Sequence, residues 1–102
     1  MNTAVHQRIA IEGELSIYTA VQWKKRLDEL ISEGASLELD LSAVQELDTA
    51  GLQLLIMAKK TVAARSGQLR LSNHSHAVLE VFELCGMAAF FGDAIAPQPN
   101  RL

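Results

Sequence analysis

The chain has 102 residues, 49% of them hydrophobic, enough for one compact domain around a single core and too few for a second domain. Its formal charge of −3 argues against generic nucleic-acid binding, which rests on clustered Lys and Arg; Lys24-Lys25-Arg26 and Lys59-Lys60 are local exceptions, the first mixed with Asp28 and Glu29. A lone cysteine excludes an internal disulfide, and the N-terminal residues lack the charged start and apolar run of a signal peptide, so a cytoplasmic protein is expected.

In chain order, residues 7–11 and 14–18 read as two short strands with Gly13 at the turn between them, an opening hairpin. Thr19 is placed to cap a helix in which Ala20, Trp23, Leu27, Leu30 and Ile31 recur on one face, with Lys24, Lys25, Asp28 and Glu29 outward and Gly34 at its end. Leu37, Leu39 and Leu41 then alternate with Glu38 and Asp40, the period of a half-buried strand, and a short loop of polar or small residues follows. Asp48 precedes a run of helix formers, residues 49–65, and its carboxylate can accept the free N–H groups of the first turn.

On that helix Gly51, Leu54, Leu55, Ala58 and Val62 share the core face. Leu52, Ile56, Lys59 and Ala63 form a second stripe about 100° away, either covered by other elements of the domain or left for a partner; Lys59 in mid-stripe favours a partner. Ser66-Gly67 marks the helix stop, and residues 68–72 form a strand with Leu69 and Leu71 on one face. Ser75 is placed to cap a helix through Val78, Val81, Phe82 and Cys85 that Gly86 closes; Cys85 is expected to be a buried structural thiol. Residues 88–91 read as a last edge strand, and 93–102 as a loose tail beyond a core spanning about 7–92. The fold class is α/β: a mixed sheet with packed helices in a single domain.

Recognisable catalytic and metal-binding frames are missing. His74 and His76 stand two apart in a loop, and there is neither a nucleophile elbow nor a glycine-rich phosphate loop, so no catalytic residue, no metal and no cofactor is expected. Polar groups near Ser16, Asp40 and Asp48 leave room for a small-ligand pocket, without positive support.

The run Asp40-Leu-Ser-Ala-Val-Gln-Glu-Leu-Asp-Thr-Ala-Gly-Leu52 resembles the central motif of STAS domains, and Gly13-Glu-Leu-Ser-Ile-Tyr-Thr-Ala20 resembles that family's earlier Gly-Glu-Leu-Asp segment. The resemblance covers most of the chain and implies a STAS-like mixed sheet and a non-catalytic bacterial regulatory module of the anti-sigma factor antagonist kind. In phosphorylated antagonists the target serine stands just before the glycine; here that residue is Ala50, and Ser16 replaces the acidic residue that follows Gly-Glu-Leu. Thr49, one position earlier, keeps a hydroxyl: its ordinary role is to satisfy backbone groups in the first turn, its regulatory one to accept a phosphate.

The expected partner-binding residues are Asp48, Thr49, Ala50, Gly51, Leu52, Ile56, Lys59 and Ala63. The partner implied by the resemblance is a regulatory kinase, an anti-sigma factor or a protein of a chemosensory-type pathway. The alternative is a structural accessory subunit bound to the ATPase of a phospholipid transporter, since such STAS subunits also carry Asp-Thr-small-Gly at the helix start. The free protein is expected to be a monomer, with no direct membrane insertion.

Overall fold

The apolar alternation of Ile9 and Ile11, followed by Leu15, builds β1 (His6–Leu15), the first strand of a computed structural model that describes residues 6–33 and 36–92. The elements that follow are α1 (Ala20–Glu33), β2 (Ser36–Leu47), α2 (Thr49–Ala64), β3 (Gln68–Ser72), α3 (His76–Cys85) and α4 (Ala88–Phe91). The described strands form one sheet in the order β1-β2-β3, and both pairings are parallel. Parallel neighbours need a crossover between them, and α1 and α2 supply it.

The expected opening hairpin is therefore corrected. Residues 6–15 form one continuous strand, and the partner of its second half is β2 rather than its own first half. Gly13 sits at φ +83°, but the chain uses this left-handed residue for a local irregularity in the ladder, not for a reversal. The pairing slips between Ala10 and Glu12 and again between Gly13 and Glu14, each time with the additional residue on β2.

The first slip has a cause in the sequence. Asp40 Oδ1 accepts the N–H of Ser42 at 2.9 Å, a side-chain turn that pulls the backbone out of even pleating. The loop expected after Leu41 is thus a continuation of β2, in which Val44 and Leu47 re-enter the core. On the face of the sheet opposite the leucines, Arg8 bridges Glu38 (3.1 Å) and Asp40 (2.8 Å), and Ser72 donates to Glu38 at 2.7 Å, so a polar ladder spans all the described strands.

One cluster of buried hydrophobic residues fills the interior: Leu37, Leu39 and Leu41 from β2, Leu69 and Leu71 from β3, Leu27 and Ile31 from α1, Leu54, Leu55 and Val62 from α2, and Val78 and Phe82 from α3. Trp23 packs against it half-buried, as a core-facing position predicts. Ser75 caps α3 by accepting the N–H of Val78, and Gly86 ends that helix in the left-handed conformation.

Other details depart from the pattern. α2 ends at Ala64 with Arg65 as its cap, and Ser66 takes the left-handed backbone at φ 63° while the N–H of Gly67 reaches Val62 O at 2.9 Å. Residues 88–91 are a helical turn rather than a strand, because Phe91 must turn inward to stack on Phe82 with centroids 5.2 Å apart. Cys85 is exposed although it continues the stripe of Val78 and Phe82 by helical period: it is the last residue of α3, and the buried residues of that helix end at Phe82. Gly34 and the tail 93–102 lie outside the described residues.

Candidate functional site

The junction of β1, β2 and α2 is built around Asp48. Its backbone is extended (φ −108°, ψ −174°), which ends β2 and lets the side chain turn back over the first turn of α2. Oδ1 accepts the N–H of Gly51 at 2.9 Å, and Oδ2 accepts the N–H of Ile17 at 3.0 Å. One carboxylate thus fastens the helix start to the loop that follows β1. The N–H of Gly51 and then that of Ile17 hold this carboxyl below its ordinary value of 3.8, because both donors favour the charged form.

Gly51 is required by space. A Cβ built there would lie 2.0 Å from the carbonyl oxygen of Leu15 and 2.9 Å from Leu47 Cδ1, so only a glycine lets α2 begin directly against the ends of β1 and β2. The glycine of the sequence motif is a packing residue.

The β1–α1 loop is tied as tightly. Ser16 is 4% exposed; its hydroxyl donates to Glu14 and accepts the N–H of Tyr18 at 3.1 Å. The Thr19 hydroxyl turns back into this loop, donating to the carbonyl of Glu14 and accepting the N–H of Ser16 at 3.0 Å, so it does not cap α1 as expected. This knot presents Ile17 and Tyr18 outward, 66% and 86% exposed, beside the start of α2.

The expected stripe on α2 divides. Leu52 is buried in the core, so other elements cover it. Ala50 and Ile56 line an open, mainly apolar groove of about 310 Å³ between α1 and α2, with Val21 and Lys24 on the α1 side and Met57 and Lys60 on the α2 side. Lys59 and Ala63 line a separate, more polar depression with Gln68, Arg70 and Phe91, where Lys59 donates to the carbonyl of Phe91 at 3.4 Å and stands 5.7 Å over the Phe90 ring. Thr49 is exposed in the first turn.

Ile17, Tyr18, Val21 and Met57 were missed in the sequence. The signal was Tyr18 and Ile17 following Gly13-Glu-Leu-Ser in a stretch read as strand, where an exposed aromatic residue had no visible reason.

Asp40 is engaged elsewhere, with Arg8, Ser42 and Asn73, while Ser16 and Asp48 line a depression with Glu14, Glu46 and Glu80; the three residues of the expected small-ligand pocket do not meet. No group of three His, Cys, Asp or Glu among the described residues could hold a metal ion. Nor is any helix among them long and apolar enough to cross a membrane.

These features define a small α/β domain whose most elaborated surface is a helix start fastened to a neighbouring loop. The family described as Mlab, STAS domain matches residues 2–93. The anti-sigma-B factor antagonist of Bacillus subtilis (strain 168) is 30% identical over 80 residues, covering 78% of this chain and 73% of that protein. The anti-sigma-B factor antagonist of Listeria monocytogenes is 32% identical over 84 residues, covering 81% and 74%. Among solved structures, the anti-sigma factor antagonist SpoIIAA in its unphosphorylated form superposes with a TM-score of 0.71 at 20% identity, over 92% of this chain and 85% of that one, a likeness of fold. The chain belongs to the STAS-domain family, and within it to the anti-sigma factor antagonist-like members.

Proposed function

We propose that this chain is a non-catalytic bacterial regulatory module of the cytoplasm that docks a partner protein at the start of α2. Asp48, Thr49, Ala50 and Gly51 form the head of the surface, and Ile56, Lys59 and Ala63 extend it along the helix, with Leu52 supporting it from the core side. The observation that carries this reading is the exposed Ile17 and Tyr18, fixed against that helix start by the carboxylate of Asp48. Curated relatives are named anti-sigma factor antagonists, and a kinase or anti-sigma factor is the partner class we carry over from them.

Ala50 has no hydroxyl, so a phosphate cannot switch this module at the residue before the glycine. Thr49, exposed one residue earlier, is the hydroxyl that remains in the first turn, and a phosphate on it would add charge and bulk where the partner must approach. A second reading is an accessory subunit bound to a transporter ATPase, favoured by the sequence Asp48-Thr49-Ala50-Gly51.

Affinity capture with the unmodified chain and Thr49→Glu distinguishes these. A glutamate at the first helical position suits the helix dipole, so the variant folds. Loss of a kinase or anti-sigma factor with the variant supports the first reading, and loss of a transporter ATPase supports the second. Identical proteins on both baits would remove the helix start as the docking site.

A further inference from the structure

We infer that the groove between α1 and α2 receives an amphipathic α-helix of the partner whose apolar ridge is flanked by acidic side chains. This inference deepens the docking reading above and rests on it.

The floor of the groove is apolar. Val21 is 81% exposed and Met57 44%, Ala20, Ala50, Leu54 and Ile56 add apolar lining, and Gln53 is the one uncharged polar residue among them. The groove runs from Ala50, so it is continuous with the helix start, and Ala20 at its α1 edge follows closely on the loop that carries the exposed Ile17 and Tyr18. Scattered exposed hydrophobics have no meaning singly, whereas a contiguous set beside a built loop marks a contact surface.

The banks carry the charge that selects the occupant. Lys24 on α1 and Lys60 on α2 stand on opposite sides, in a chain whose overall charge is −3. Lys24 reaches Asp28 at 2.8 Å, but both are more than half exposed and such a pair is weakly held. Lys60 has no acidic partner among the described residues. An apolar floor between cationic banks attracts an acidic amphipathic segment and repels a basic one.

The walls select its conformation. Both banks are helices whose backbone groups are bonded internally, so an extended peptide would leave its own N–H and C=O groups unpaired over an apolar floor. A helix brings no such groups, and α2, which lines the groove from Ala50 to Lys60, offers a bank about 15 Å long, room for apolar contacts at i, i+4 and i+7. A second copy of this chain, related by a two-fold axis through the groove, would set lysines against lysines. A small anionic amphiphile would be poorly enclosed in so open a cleft.

The test uses two fluorescein-labelled helical peptides of about 16 residues with the same leucine ridge, one flanked by glutamates and one by lysines, titrated against the full chain by fluorescence anisotropy. The glutamate peptide is expected to bind at least roughly tenfold tighter than the lysine peptide. Val21→Glu is expected to abolish its binding, and the pair Lys24→Glu with Lys60→Glu to invert the preference. All three positions are exposed, so circular dichroism and the thermal midpoint should not change. Equal binding of both peptides, binding of neither, or indifference to the charge reversal would overturn the inference. So would a dimer of the unmodified chain, seen by sedimentation and lost in Val21→Glu. If a captured partner is lost with Thr49→Glu but kept with the groove variants, the groove falls and the helix start stands; the reverse pattern removes the helix start alone.

Discussion

At the scale of single residues, the most constrained position is Gly51, where the carbonyl of Leu15 occupies the space a side chain would need. Gly51→Ala cannot be relieved by a rotamer change, because the obstructing atom is backbone. The helix start must lift away from the sheet, at a cost of about 3 kcal/mol, and the N–H that Asp48 caps moves with it. Urea denaturation of the variant should show that loss, whereas a midpoint equal to that of the unmodified chain would mean that α2 does not sit against β1 as described.

At the scale of elements, helix ends can be changed separately. Ser75→Ala removes the side-chain oxygen that accepts the N–H of Val78 and is expected to lower stability by about 1 kcal/mol. Ser75→Asp should keep the cap and the stability, and equal losses in both variants would argue that the hydroxyl acts through something other than the cap. Capping and periodicity made α2 and α3 legible in the sequence: the core stripe Gly51, Leu54, Leu55, Ala58 and Val62 is buried throughout, and Asp48 and Ser75 cap as expected. What could not be read there depends on distant partners. Thr19 looks like a cap, yet its hydroxyl is taken by the loop behind it. Leu52 looks like a surplus surface residue until the rest of the core closes over it. Gly13 carries the same turn signal whether the chain reverses or merely bulges, and the choice lies with β2, some thirty residues away. The site followed the same division: Asp48 and Gly51 stood out in the motif, whereas Tyr18 and Val21 gained meaning only when tertiary structure placed them beside it.

At the scale of the whole molecule, three carboxylates couple the fold to pH. Ser72 first and then Arg8 lower Glu38 from 4.5; the N–H of Ser42 lowers Asp40 from 3.8; and the N–H groups of Gly51 and Ile17 lower Asp48. Each binds its proton more readily in the unfolded chain, so each adds stability that is complete above the ordinary carboxylate range and is lost as pH falls through that range toward the lowered folded values. Urea midpoints should therefore be flat from pH 7 to about 5 and decline below about 4.5. The variant Glu38→Gln, Asp48→Asn should be less stable at neutral pH and decline less steeply in acid. A double variant whose acid slope matched the original would place the titrating groups elsewhere.

The bulges leave β2 longer than the strand it follows: from Ala10 opposite Asp40 to Leu15 opposite Leu47, β1 advances five residues while β2 advances seven. That surplus brings Asp48 level with the end of β1, within reach of the N–H of Ile17. The spacing between the two halves of the family motif is therefore a ruler. Substitutions at the exposed Ala43, Gln45 and Glu46 leave it intact, but removing one residue would draw the helix start back by about 3 Å and turn the side chains that follow to the opposite face. Among descendants of this chain, that segment is free to vary at those exposed positions, while Val44 stays apolar and the length is held.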